Sequence, residues 1–227
     1  MVEITKKYKI GTRRFGLVNW YGTWTLYVKE VLRFLNVWAQ TLFSPLISSL
    51  LFLLVLSLAI GTERGEVLGV SFITFLAPGL IAMQIIQQAF SHSSSSLMIK
   101  KIDGTIVDLL FAPLSASEAT IAISLAAVTR SVLLAIISII TFTIIIDIQI
   151  QNYLTLISFT FLSSFILGNI GIIAGLWAEK FDNMATVTNF IIVPLSFLSG
   201  TFYSIERLPG FLQTVSEFNP FFYMIDG

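Results

Sequence analysis

Long stretches without any Asp, Glu, Lys or Arg constrain this chain more than any other feature of its sequence. The runs from Asn36 to Thr62 and from Val67 to Ile99 contain no charged residue. In a third run, residues 119–146, only Arg130 is charged. Each run is long enough to cross a bilayer, which takes about 20 helical residues. Only 11% of the 227 residues are charged, against about 25% in globular domains. This excludes a water-soluble fold and predicts an all-α, polytopic membrane protein.

The charge pattern divides the chain into five visible membrane spans. Pro78 and Gly79 predict a bend in the second span, and Pro194 interrupts the fifth. Gly171 and Gly175 give the fourth span a small-residue pattern that is typical of helix packing. The five segments are residues 36–62, about 70 through the serine run at 93–96, about 127–147, a stretch within 148–178, and about 185–198.

A basic arm, residues 1–19, precedes an amphipathic segment that begins at Trp20. In this segment aromatic side chains recur on one helical face, and charged side chains fall elsewhere around the turn. Aromatic rings on one side and charges on the other are typical of a helix that lies in the membrane interface. The residues assigned to this interfacial helix are Trp24, Lys29, Glu30 and Arg33.

The segment from Ile99 to Glu118 is a charged interruption between two very apolar regions. Its apolar residues recur at helical spacing, which predicts a short amphipathic helix that begins near Asp103 and is stopped by Pro113. A helix of this kind between two spans lies on the bilayer surface, where a soluble partner can push on it. A plain loop with one helical turn is the alternative. The residues that define the pattern are Lys101, Ile102, Asp103, Ile106, Asp108, Leu109 and Leu110.

Two polar residues within the apolar runs need an explanation. Asp147 marks the far end of the third span, so about 20 residues back the near end lies around residue 127. Arg130 is therefore expected close to that interface, where its long side chain can snorkel. His92 is a lone histidine near a predicted helix end, and we expect an interfacial position for it in preference to a proton relay.

The distribution of basic residues predicts the orientation. Of the 13 Lys and Arg residues, ten lie in segments on the same side as the N-terminus and two, Arg64 and Arg207, on the opposite side. Cytoplasmic loops are enriched in Lys and Arg. The N-terminus and the 99–118 segment are therefore predicted to be cytoplasmic. The net charge of zero shows no footprint for nucleic acid.

Several motifs in a fixed order resemble the permease subunit of an ABC-2 type ABC exporter of a bacterial inner membrane. The similarity covers nearly everything after about residue 20. The motifs are Lys29-Glu30-x-x-Arg33-Phe34 followed by Gln40-Thr41-Leu42, Ala77-Pro78-Gly79-Leu80, Asp108-Leu109-Leu110-x-Ala112-Pro113-Leu114, Ala178-x-x-Phe181-Asp182, Leu198-Ser199-Gly200-x-Phe202-Tyr203-Ser204-x-x-x-Leu208-Pro209 and Asn219-Pro220-x-x-Tyr223-Met224-Ile225.

The resemblance implies one transmembrane domain over residues 20–227 that belongs to a six-span half-transporter. Such a subunit pairs with a second copy and with two cytoplasmic ATPase subunits, which carry the ATP and Mg²⁺. The 102–111 segment matches the coupling helix that seats on the ATPase. Since the family has a sixth span where this sequence ends, we expect the domain to be incomplete at its C-terminus. The residues that match the family's short extracytoplasmic re-entrant segment are Gly200, Phe202, Tyr203, Leu208 and Pro209.

The function expected from this resemblance is ATP-driven export of an amphipathic, drug-like or lipid-linked substrate. The chain contains no GxxxxGK[ST] motif, so nucleotide hydrolysis is assigned to the separate ATPase. A secondary transporter or channel is the first alternative and would need charged residues along a pathway, for which Arg130 is the candidate. A membrane-embedded enzyme is the second; Ser91 and His92 are adjacent, which does not place them on one helical face.

Overall fold

The computed structural model describes residues 18–60, 66–67, 69–146, 152–203 and 209–226, and most of these residues are helical. The helices are α1 (Trp20–Leu35), α2 (Ser44–Ile60), α3 (Phe72–Ile102), α4 (Ile106–Phe111), α5 (Ala116–Ile145), α6 (Tyr153–Trp177), α7 (Phe181–Val187), α8 (Val193–Phe197), α9 (Gly210–Glu217) and α10 (Pro220–Asp226). One π-helical turn, Ala39–Phe43, leads into α2, and another, Thr188–Ile192, joins α7 to α8. Two short strands, β1 (Glu66–Val67) and β2 (Val70–Ser71), form an antiparallel hairpin.

Side-chain caps fix where α1 and α5 begin. The Asn19 side-chain oxygen accepts the Gly22 backbone N–H at 2.9 Å, which satisfies a donor that the first turn of α1 leaves free. At α5, the Ser115 hydroxyl and the Glu118 carboxylate bind each other's backbone N–H groups and form a capping box. The same carboxylate accepts the Asn19 backbone N–H at 2.7 Å. One acidic residue therefore joins the starts of α1 and α5.

α3 is the central helix, and it packs against α5 and α6, while α1 packs on α5. Glycines allow the close approach of α6. A Cβ added at Gly171 would lie 2.5 Å from the Phe90 carbonyl oxygen, and one at Gly175 would lie 2.9 Å from that of Ser94. The packing role predicted for Gly171 and Gly175 is confirmed, since only glycine fits against the α3 backbone at these distances.

The outward faces of the long helices are apolar. Leu54 and Leu58 on α2, Ile144 on α5 and Leu154 on α6 are all exposed at the protein surface. In a soluble protein such a surface would aggregate, whereas in a bilayer it is the surface that lipid tails cover. The described residues contain four helices that are long and apolar enough to cross a membrane. The prediction of an all-α, polytopic membrane protein is confirmed.

The fifth predicted span is shorter than the other four. α7, the second π-helical turn and α8 follow one another over residues 181–197, about 25 Å at 1.5 Å per residue. Pro194 lies in the first turn of α8, where its missing N–H is tolerated. This segment falls short of the length that marks the other four helices, so a fifth crossing stays a prediction.

The structure corrects the start of the predicted helix in the 99–118 segment. α3 continues to Ile102, so that Lys101 and Ile102 belong to its last turn, and a turn over residues 103–105 separates it from α4. Gly104 has a φ of +73°, a conformation that glycine adopts readily and that ends a helix. α4 therefore begins at Ile106 and not near Asp103.

Candidate functional site

A cluster of charged side chains is buried where α1 meets α3. The Glu30 carboxylate has no exposed surface, and its Oε1 accepts a hydrogen bond from the Lys100 ammonium. Its Oε2 accepts the Arg33 Nε–H at 3.0 Å and the Ser96 hydroxyl at 2.7 Å. Both carboxylate oxygens therefore have hydrogen-bond partners. A buried charge is tolerated only with such partners.

The two cations keep Glu30 ionised. Burial alone would raise the pKa of its carboxyl, but the attraction of Lys100 and Arg33 and the hydrogen bonds to the carboxylate outweigh burial and lower the pKa to about 2. At neutral pH the cluster therefore contains a full negative charge. The interaction ties α1 to a position 70 residues later in the chain.

Arg33 extends the cluster to His92. One of its terminal nitrogens donates to the His92 carbonyl oxygen at 3.0 Å, and the imidazole lies edge-on to the Phe34 ring at 5.6 Å between centroids. His92 is completely buried, so its predicted place near a helix end, open to the interface, is wrong. The reason is that α3 runs through the serine run to Ile102, which leaves His92 well inside the helix.

The helix predicted to begin at Trp20 is present as α1, but two of its charged residues face inward. Trp24 is 63% exposed and Lys29 is exposed, as expected for an outer surface. Glu30 is buried on the same face as Leu26 and Phe34, and Arg33 is half-buried. The expectation that Glu30 and Arg33 lie on a solvated side is therefore wrong. The i, i+4, i+8 spacing of Leu26, Glu30 and Phe34 was the signal that could have found this.

A cavity of ≈ 640 Å³ opens beside the cluster, bounded by the end of α1, the start of α2, α3 and Arg130 of α5. Both polar and apolar side chains line it. The polar residues that matter below are Arg33, Gln84, Gln88 and Arg130, and the apolar ones are Phe52, Leu80 and Phe202. A cavity of this volume is in the range of small-molecule sites.

Arg130 reaches this cavity from α5. Its side chain is 7% exposed and donates to the Gln88 side-chain oxygen, while its Nε has no hydrogen-bond partner among the described residues. Arg130 is held inside the protein by Gln88 and does not snorkel along the surface as expected, while its depth in the bilayer stays a prediction. Because α5 begins at Ala116 and not near residue 127, Arg130 lies halfway along the helix and finds a polar neighbour inside the protein.

The α4 helix divides the predicted coupling residues into two groups. Ile106 and Leu109 are partly buried against a cluster that contains Leu26 of α1. Leu110 is 76% exposed and Phe111 is 85% exposed. Asp103, Asp108 and Ile102 are exposed as well, and Lys101 donates to the Leu176 and Ala178 carbonyl oxygens at the end of α6. Leu110 and Phe111 are the most exposed apolar side chains of this segment, ahead of Ile102 and Val107.

Direct contacts join α4 and its flanking turn to α1. The Asn19 side-chain amide donates to the Pro113 carbonyl oxygen at 3.1 Å. A second cavity, of ≈ 310 Å³, lies between the two elements and is lined by Lys29, Lys100, Asp108 and Leu109 among others. α1 therefore connects the exposed helix α4 with the larger cavity. Asn19 at its start contacts the turn after α4, and Glu30 and Arg33 near its end belong to the charged cluster beside the cavity.

The predicted re-entrant segment is partly described. Gly200 has a φ of +82°, and the Phe202 ring lies 5.3 Å from the rings of both Phe52 and Phe197. Tyr203 is half-buried, and burial raises the pKa of its hydroxyl. Pro209 precedes α9, whose Phe211 is exposed. Leu208 lies outside the described residues.

Comparison with known proteins places these features in a family. Residues 21–227 match the family described as "ABC-2 type transporter". Over 208 residues the chain is 30% identical to "Inner membrane transport permease YadH" of Escherichia coli (strain K12), which covers 92% of this chain and 81% of the relative. It is 22% identical to "Nodulation protein J" of Neorhizobium galegae over 213 residues, 93% of this chain and 80% of that protein. No solved structure matches. These matches indicate a multi-pass transport permease and not an enzyme.

Proposed function

The chain belongs to the ABC-2 type transporter family, and from this premise we propose that it is the membrane subunit of an ATP-driven exporter. The match over residues 21–227 is the observation that carries this proposal. The subunit works with a cytoplasmic ATPase and with a second permease copy in a bacterial inner membrane, with its N-terminus in the cytoplasm. Its substrate is amphipathic, drug-like or lipid-linked.

The proposed docking surface for the ATPase is the exposed face of α4. Leu110 and Phe111 present two large apolar side chains at the surface, and Asp103 and Asp108 flank them as exposed acidic groups. Because α4 lies in a loop between two spans, these two side chains lie beyond the bilayer core, where lipid tails do not cover them. A groove on a partner protein would remove their apolar surface from water. Ile106 and Leu109 hold α4 to its own chain and transmit the force.

The proposed transmission route runs from α4 through α1 to the cavity. When the ATPase dimer closes on ATP, it displaces α4, and the Asn19 bonds to Pro113 and Glu118 carry that displacement to the start of α1. At the other end of α1, Glu30 and Arg33 are fixed to α3. A shift of α1 therefore moves Arg33, which lines the cavity. Alternating access needs a coupling of this kind between a two-state partner and the site.

The test is co-purification of the permease with its cognate P-loop ATPase. We expect Leu110→Ala and Phe111→Ala each to cost about 2 kcal/mol, or roughly thirtyfold in association, because truncated central anchors cost that much. Ile144→Ala, an equally exposed residue at the far end of α5, is the matched control and should retain the partner. Normal membrane levels of each variant are checked on the same gel. Full association and full ATP-dependent transport by both α4 variants would refute the docking surface.

A secondary transporter is the alternative that one observation favours, because Arg130 is a buried cation inside a membrane-spanning helix and lines a cavity. The two functions differ in their energy source. Transport into proteoliposomes that contain permease and ATPase should stop when the P-loop lysine of the ATPase is replaced. Transport that continues on an ion gradient alone would favour the secondary transporter.

A further inference from the structure

Among the residues that the structure describes, the larger cavity is lined by two cations and by no carboxylate. Arg33 and Arg130 both reach its surface, and the other polar side chains around it are neutral amides and hydroxyls. Its apolar part includes Phe52, Leu80 and Phe202. One region of the cavity is therefore suited to a negative group and the neighbouring region to a hydrocarbon chain.

The charges at this cavity do not balance. Glu30 provides one buried negative charge, whereas Lys100 and Arg130, both buried, and the half-buried Arg33 provide three positive charges. Both oxygens of Glu30 are already occupied by Lys100, Arg33 and Ser96. No carboxylate among the described residues pairs with Arg130, whose bond to Gln88 is to a neutral amide. Uncompensated buried charge is costly, and a bound anion would offset that cost.

Arg33 and Arg130 line this cavity, and each keeps N–H donors beyond those it uses within the protein. Arg130 uses a terminal nitrogen for Gln88, and its buried Nε has no partner among the described residues. Arg33 uses its Nε and one terminal nitrogen, while a guanidinium offers five N–H donors. Guanidinium groups bind phosphate and carboxylate through paired, charge-assisted hydrogen bonds.

We propose that this cavity binds an amphiphile with an anionic headgroup, a phosphate or carboxylate held by Arg130 and Arg33, with its hydrocarbon chain along Phe52, Leu80 and Phe202. This assignment rests on the proposed transport function and narrows its substrate class. A cationic amphiphile is disfavoured because it would face two guanidinium groups in a medium of low dielectric constant.

The first experiment compares ligands on wild-type protein without any ATPase. The full chain in phosphatidylcholine nanodiscs is tested with radiolabelled dodecyl phosphate in a scintillation proximity assay. Unlabelled dodecyl phosphate should displace the probe at least tenfold better than dodecyl maltoside or dodecyltrimethylammonium. Inorganic phosphate lacks the chain and should need about a hundredfold higher concentration than dodecyl phosphate. Equal displacement by the neutral or cationic detergent overturns the assignment of an anionic headgroup. Equal displacement by inorganic phosphate overturns the assignment of a hydrocarbon chain to the apolar part of the cavity.

The second experiment tests the two arginines. Arg130→Gln and Arg33→Gln should each weaken dodecyl phosphate binding about tenfold or more, because each removes charge-assisted hydrogen bonds. Arg130→Lys keeps the charge and should recover part of the affinity. Lys29→Gln removes an exposed cation from the same helix as Arg33 and should bind as wild type does. Unchanged binding in all the arginine variants overturns the proposal.

The readouts separate this proposal from the function on which it rests. Ligand binding is measured on the permease alone, so the binding result does not change if the proposed ATPase partner is wrong. If neither glutamine variant yields folded protein, the ligand series on wild type and the Arg130→Lys variant still test whether the cavity binds an anionic headgroup. If the arginine variants bind normally while transport remains ATP-dependent, the anionic headgroup is wrong and the exporter stands.

Discussion

At the scale of single residues, Glu30 determines how the N-terminal helix is held. Its carboxylate accepts bonds from a neighbour in α1 and from Ser96 and Lys100 in α3. Removal of one partner of a buried ion pair leaves the other partner charged and unpaired, which costs several kcal/mol. A surface pair of the same residue types would contribute little. The burial of Glu30 is therefore what makes this cluster a stability determinant.

We expect the stability difference between wild type and Glu30→Gln to depend on pH. The folded-state pKa of Glu30 is about 2, against an ordinary value of 4.5. The contribution of the ionised Glu30 to the free energy of unfolding is therefore fully present above about pH 4.5 and is lost as the pH falls toward 2. At neutral pH that contribution is about 3 kcal/mol. Thermal unfolding in detergent, followed from about pH 7 to about pH 3.5, should show the gap between the two melting temperatures narrow without closing, because pH 3.5 is still above the folded-state pKa.

The matched control for this experiment is Glu217→Gln, which changes an exposed acidic residue at the end of α9. Its melting temperature should follow that of wild type at every pH. A constant gap between wild type and Glu30→Gln across the range would contradict the low pKa of Glu30, since a group that stays neutral or unpaired has no such pH dependence.

At the scale of elements, the sequence predicted the long helices well because their signal is simple. Charge-free runs are required for a lipid environment whatever the tertiary contacts are. The first and last residues of these helices were less predictable. Arg130 was assigned to a shallow position because the span was counted back from Asp147, whereas α5 extends to Ala116 through the capping box of Ser115 and Glu118. Helices that continue beyond the bilayer leave no mark in a hydrophobicity count.

The buried cluster was the least predictable feature. Glu30, Arg33 and Lys100 are charged residues in or next to polar segments, where solvent exposure is the ordinary expectation. Their pairing depends on the packing of α1 against the bundle, which joins positions 70 residues apart. The cavity depends in the same way on Arg33, Gln88 and Arg130 meeting from three helices. Single-sequence periodicity carries no information about such long-range contacts.

The contact between α3 and α6 gives an element-scale prediction. Gly171→Ala places a methyl group 2.5 Å from the Phe90 carbonyl oxygen, so the two helices must separate, and we expect a loss of about 1–3 kcal/mol. Gly168→Ala is the matched control on the same helix, because its Cβ would meet the Ala127 side chain at 3.3 Å. Melting temperatures in detergent should fall clearly for the first variant and only slightly for the second. An equal fall for both would contradict the close α3–α6 contact.

At the scale of the whole molecule, the predicted orientation can be tested with single cysteines, because the sequence contains none. Asp103 is exposed in the turn before α4, and Glu217 is exposed at the end of α9. The excess of Lys and Arg on the N-terminal side predicts that position 103 is cytoplasmic and position 217 external.

An impermeant maleimide should therefore label Glu217→Cys in intact spheroplasts and label Asp103→Cys only after lysis. Both variants should react equally once the membrane is dissolved in detergent, which controls for the reactivity of each thiol. Labelling of Asp103→Cys in intact spheroplasts would reverse the orientation, and the docking of a cytoplasmic ATPase on α4 would fall with it.

The distance in sequence between Glu30 and its partners has a consequence for biogenesis. A ribosome completes α1 long before it reaches Ser96 and Lys100, which hold the Glu30 carboxylate, or Glu118, which accepts the Asn19 backbone N–H. Until α3 and the start of α5 have emerged, Arg33 of the same helix is the partner that α1 offers the Glu30 carboxylate, so the nascent helix must remain hydrated at the membrane surface. A helix that is synthesised before its partners therefore docks late in insertion, and it can dock only after α3 and the start of α5 have been inserted in their correct positions.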